Sequence, residues 1–150
     1  MIRSGGGGMR HVSFGARRAL LPYSLIYSSR PTRDLSDYDL VRIWEISARN
    51  NEALDVTSAL FFSGELFFHV LEGEALLIDS LFEIIKTDGR HRDIEVLAEN
   101  DVPSPAFRGW PMKFIDGRRS DGLRARFDPE VLTECPVSHV NALTLQLVTV

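Results

Sequence analysis

The chain has 150 residues, 44% hydrophobic and 25% charged, with a formal net charge of −4 and one cysteine, Cys135. One domain of this length buries roughly two thirds of its unfolded surface, no apolar run approaches the roughly 18 residues of a membrane span, and a lone cysteine excludes an internal disulfide or a CxxC pair, which fits a reducing, cytoplasmic compartment. Arg3, Arg10, Arg17, Arg18, Arg30 and Arg33 share residues 1–33 with no acid, leaving eleven basic against twenty-one acidic residues beyond them, and so acidic a body repels phosphate backbones and argues against nucleic acid as a ligand.

Residues 1–22 differ in kind from the rest. Gly5–Gly8 followed by Met9 in an arginine-rich, acid-free run reads as a flexible tail, a start site upstream of a true initiator at Met9, or an organelle-targeting segment. No strand precedes these glycines, so they do not form a phosphate-cradling loop. Tyr23–Arg30, "YSLIYSSR" before Pro31, is β-branched and aromatic and predicts a first strand. In "LSDYDLVRIWEISARNN", Ser36 predicts an N-cap, Asp37 and Asp39 suit the first helical turn, and Leu35 with Leu40 has hydrophobic-staple spacing. Leu40, Ile43, Trp44 and Ser47 recur at helical spacing, which predicts that Trp44 fills core volume, and Asn50 with Asn51 predicts the helix end. "DVTSALFF" and "ELFFHVL", separated by Ser63 and Gly64, predict a hairpin. In the second of these, Phe67, His69 and Leu71 alternate with Leu66, Phe68 and Val70, so both faces of the sheet need cover. A second helix spans roughly Glu74 to Lys86 and stops before Gly89. "RDIEVLAENDV" predicts a fourth strand and "WPMKFI" a short fifth.

Strand, helix, strand, strand, helix, strand and an added edge strand make an α+β, ferredoxin-like βαββαβ(β) sheet with two helices on one face. The expected body is 23–116. Val131, Leu132, Val137, Val140, Leu143, Leu145 and Leu147 predict one or two C-terminal helices within 117–150, docked on the other face. His11, His69, His91 and His139 have no metal-ligand spacing, and there is no G-x-S-x-G elbow or Walker loop. No enzyme and no metal site is expected.

Polar groups remain at strand and helix ends: Tyr27, Asn51, His69, Arg90, His91, Trp110 and Met112. The motifs "LIYSSR", "ISARNN", "FFHVLEG", "DGRHRDIEVL" and "FRGWPMKF", in this order and spacing, resemble the BLUF domain, the sensor of blue light using FAD, over about Tyr23 to Ile115. The resemblance implies noncovalent FAD, with FMN or riboflavin as substitutes. It implies that Tyr27 is the electron donor and that Asn51 bonds the isoalloxazine edge, with Asn50 beside it. It places Ile43 against the ring and Arg90 with His91 near the ring and its side chain, and it makes Trp110 and Met112 the pair implicated in signalling. His69 stands where the family has its light-switching glutamine. An amide has donor and acceptor on one rotatable terminus, whereas a neutral imidazole has one of each on opposite sides of a rigid ring. Ser58 stands where glycine is usual, "SPAF" lacks the arginines common before the tryptophan motif, and Pro111 removes a backbone N–H. Two functions follow as expectations. One is a photoreceptor that self-associates and signals to a separate, unidentified protein partner. The other is a light-insensitive or flavin-free BLUF-like interaction module.

Overall fold

The computed structural model describes residues 21–150, so the reading of the N-terminal tail lies outside the described residues except at Leu21 and Pro22. Strand β1 (Tyr23–Pro31) leads into helix α1 (Asp37–Ala53), and strands β2 (Thr57–Phe62) and β3 (Phe67–Gly73) form the hairpin. Helix α2 (Ala75–Lys86) and strand β4 (His91–Asp101) follow, then strand β5 (Lys113–Asp116) and helices α3 (Asp121–Arg126), α4 (Pro129–Glu134) and α5 (Val137–Thr149). The five strands lie in the order β4-β1-β3-β2-β5. Only the β2–β5 pair is parallel. This is the expected ferredoxin-like arrangement with an added edge strand.

Local chemistry sets the boundaries. The Ser36 hydroxyl accepts from the Asp39 N–H while the Asp39 carboxylate accepts from the Ser36 N–H, a complete capping box. The end of α1 departs from expectation: it runs through both asparagines to Ala53, and the left-handed residue is Asp55, at φ 57°. An aspartate tolerates that conformation where most side chains do not. Asn51 therefore stays helical and is buried. The fifth strand also starts later than expected. Trp110, Pro111 and Met112 form a loop before Lys113, because Gly109 turns the chain at φ 86° and Pro111 has no N–H to give a ladder.

The sheet separates two cores. On one face Tyr23, Leu25, Tyr27 and Leu71 pack under Ile78 and Phe82 of α2, and Leu40 of α1 meets Leu60, Phe67 and Met112. On the other face Phe68 and Val70 are covered by Phe127, Leu132, Val140, Leu143 and Leu147. That cover consists of three helices, not one or two, because Asp128 with Pro129 starts α4 and Pro136 interrupts the chain before α5. Phe127, between α3 and α4, stacks on Phe61 at 4.3 Å and meets Phe68 edge-on at 4.9 Å. Val131, Val137 and Leu145 face outward instead.

Candidate functional site

Pairing of β1 with β3 sets Tyr27 directly across from His69. Their side chains share the face under α1 and α2, where a cavity of about 360 Å³ opens between the two helices, within the size range of small-molecule sites. Ile43 and Ile46 on α1 and Ile84 and Ile85 on α2 supply apolar walls, with Asn50, Asn51, Asp88, Arg90 and His91 around them. Tyr27, Ile43, Asn50, Asn51, His69, Arg90 and His91, seven of the eight expected cofactor contacts, thus line one cavity. The eighth, Met112, is buried elsewhere. It lines a second groove with Trp44 and Trp110 at the β5 edge.

The polar groups are tightly constrained. The Tyr27 hydroxyl lies 2.8 Å from His69 Nδ1, and both residues are buried. Burial, reinforced by the Asp88 charge, pushes the Tyr27 phenol up. Burial, reinforced by His91, pushes the His69 imidazole down to about 3, so the ring is neutral at physiological pH. Its Nε2 is buried and has no hydrogen-bond partner among the described residues. His91 is held on both sides, by Ser29 Oγ and by the Ile85 carbonyl, each 2.8 Å away. A carbonyl only accepts, so His91 Nε2 carries a hydrogen. Arg90 forks onto Asp88, with Nε and Nη2 at 3.0 and 2.7 Å from the two carboxylate oxygens. That hydrogen bonding holds the Asp88 carboxyl below the ordinary carboxylate range.

Asn51 faces two ways. It lines the cavity, yet its amide nitrogen donates to the Pro111 carbonyl at 2.8 Å and to Ser58 Oγ at 3.0 Å. Ser58 Oγ in turn donates to the same carbonyl at 2.7 Å and touches Met112 Sδ at 3.4 Å. Ser58 is therefore part of a clamp on the Trp110–Met112 loop. Trp44, expected in the core, is 42% exposed and spends its Nε1–H on the Met112 carbonyl. Trp110 is half exposed. Sequence reasoning missed Ile46, Asp88 and Ser29 as lining residues. Ile46 was findable as the residue one turn beyond Ile43; Asp88 and Ser29 carried no periodic signal.

A family model described as BLUF, sensors of blue-light using FAD, matches residues 23–113. The blue light- and temperature-regulated antirepressor BluF of Escherichia coli K12 is 33% identical over 108 residues, 70% of this chain and 27% of that protein. The photoactivated adenylate cyclase subunit beta of Euglena longa is 28% identical over 123 residues, 81% of this chain and 14% of that one. The chain thus spans about a quarter or less of these curated relatives. Among solved structures, the photo-activated state of BlsA superposes with a TM-score of 0.76 at 23% identity, covering 87% of this chain and 96% of that one, a likeness of fold. The dark state of BlrB, described as a BLUF protein, gives 0.66 at 26% identity over 85% and 97% of the two chains.

Proposed function

Since this chain belongs to the BLUF family, the sensors of blue light using FAD, we propose that it is a blue-light photoreceptor domain whose cavity between α1 and α2 takes the flavin ring of noncovalently bound FAD. The observation that carries the reading is His69 Nε2, a buried polar atom with no partner among the described residues, on a side chain lining an apolar-walled cavity. Stranded polar groups are costly, and a ring with polar edges would satisfy this one. Bound flavin would supply light absorption and electron acceptance. Ile43, Ile46, Ile84 and Ile85 would exclude water from the ring faces. Tyr27 would hold His69 in place through Nδ1, and His91 would brace the floor between β1 and α2.

The output would leave through Asn51. Its amide reaches from the cavity to the Pro111 carbonyl, two residues before β5 begins at Lys113. Lys113 Nζ donates to the Leu147 and Val148 carbonyls at 3.0 and 2.8 Å, at the C-terminal end of α5. A change in Asn51 is thus two covalent steps from a contact with the C-terminal helices, where a separate protein partner would read it; the domain itself would perform no enzymatic step. Purified protein is expected to carry a flavin absorption band that shifts reversibly on blue illumination. A colourless protein that binds no added FAD or riboflavin would refute the reading.

A further inference from the structure

The hydrogens around His69 can be placed by elimination. Tyr27 and His69 are a register pair across β1 and β3, with ring centroids 5.2 Å apart and edge-on. Among the described residues the phenol makes one hydrogen bond, to Nδ1. If Nδ1 carried the imidazole hydrogen, the buried phenol proton would have no acceptor and the Nε2 lone pair would have no donor. If the phenol donates to Nδ1, Nε2–H is the single stranded group. One orphan is favoured over two, so the ring is the Nε2–H tautomer. A half-turn of the ring does not reverse this polarity, because it sets Cδ2, not a nitrogen, against the phenol.

We propose that His69 is a donor of fixed polarity which makes the cavity select a ring edge offering a hydrogen-bond acceptor, and so prefer oxidised flavin to dihydroflavin. The inference rests on the flavin reading above. Oxidised flavin offers carbonyl oxygens and unprotonated ring nitrogens along its polar edge; two-electron reduction with proton uptake leaves the carbonyls but turns the N5 nitrogen into an N–H donor, so an Nε2–H set against N5 would lose its acceptor and face a second donor. A glutamine at the same place can turn its amide and accept from that N–H. His69, locked by Tyr27, cannot.

The test is anaerobic titration of wild type, His69→Gln and Tyr27→Phe with riboflavin, oxidised and dithionite-reduced, reading the ratio of the two dissociation constants for each protein. The wild-type ratio in favour of the oxidised form should exceed that of His69→Gln by roughly tenfold, the worth of one hydrogen bond. Tyr27→Phe, which frees Nδ1 and with it the tautomer, should lower the ratio in the same direction. Independently, long-range proton–nitrogen NMR on the ligand-free protein should show His69 with hydrogen on Nε2 and a bare Nδ1. The opposite tautomer, or ratios equal within twofold across the three proteins, overturns the inference while leaving flavin binding intact. If neither redox form binds, the flavin reading fails and the selection falls with it.

Discussion

Acidification separates wild type from His69→Gln through a single proton. The folded protein holds the His69 imidazole near 3 against an ordinary value of 6.5, so between those limits the unfolded chain takes up a proton that the folded chain refuses. Where the unfolded state binds more protons, stability rises with pH; the contribution of His69 is therefore complete above about 6.5 and is lost as pH falls toward 3. From pH 7 to pH 5 the loss from His69 alone is about 2 kcal/mol, since each unit below 6.5 costs about 1.4 kcal/mol. Glutamine does not titrate. Urea unfolding of both proteins at pH 7, 6 and 5, without flavin, should show wild type losing about 2 kcal/mol more than His69→Gln over that span. Groups common to both proteins and remote from position 69 cancel in the difference. Parallel stability curves, differing in their pH dependence by less than roughly 0.5 kcal/mol, would mean that the folded ring charges as readily as the unfolded one.

Three further substitutions, one of them with a control, probe the frame of the fold. Glu72, buried in β3, accepts from Thr57 Oγ1 and from the Ala106 and Phe107 N–H groups, so Glu72→Ala should cost about 1–3 kcal/mol for each stranded N–H, read as a lower urea midpoint with unchanged slope. Gly117→Ala sets a methyl 2.3 Å from Phe61 Cε1; overpacking of about 1–3 kcal/mol or more should lower the melting temperature, whereas Gly122→Ala, with open space around it, should not. Ser58→Ala removes one of the two side chains holding the Pro111 carbonyl and should cost about 1 kcal/mol while raising hydrogen exchange at Trp110 and Met112; unchanged exchange there would show that the Asn51 and Trp44 side chains and the Ser58 N–H hold the loop without the hydroxyl.

Legibility in the sequence tracked how local each feature is. The α1 capping box, the hairpin around Gly64 and the alternation in β3 are written within a few residues of one another, and the fold follows from them. The pairing of Tyr27 with His69 was not local; it emerged from motifs matched at five places, since residues 42 apart meet only through sheet register. What stayed hidden lies where side chains override propensity. Asn51 reads as a helix terminator, but its amide is bound by Pro111 and Ser58, and the chain reverses at Asp55 instead. Trp44 reads as core by spacing, yet its indole N–H finds a partner at the rim of β5. "WPMKFI" reads as one strand, yet its first three residues are fixed by hydrogen bonds to α1 and β2.

The two faces of the sheet are built for different tasks. Under α5 the Phe61, Phe68 and Phe127 rings and the aliphatic residues around them form a close-packed apolar core, and such packing does not deform gradually. The opposite face holds the cavity and the one buried side-chain atom without a partner among the described residues, His69 Nε2. A disturbance at that atom would meet the least resistance around the sheet edge, away from the close-packed core. β5 suits that route: it has four residues, lies at the sheet edge beside β2, and is preceded by a loop held by the Asn51 and Ser58 side chains and a single backbone bond, from the Ser58 N–H to the Trp110 carbonyl at 3.0 Å. α5 has no basic residue in its own last turn, and the cation at its final carbonyls, where the helix dipole favours positive charge, comes from Lys113 of that strand. Shifting β5 therefore alters the electrostatic cap of α5 and, through Ile115, the edge of the core beneath it.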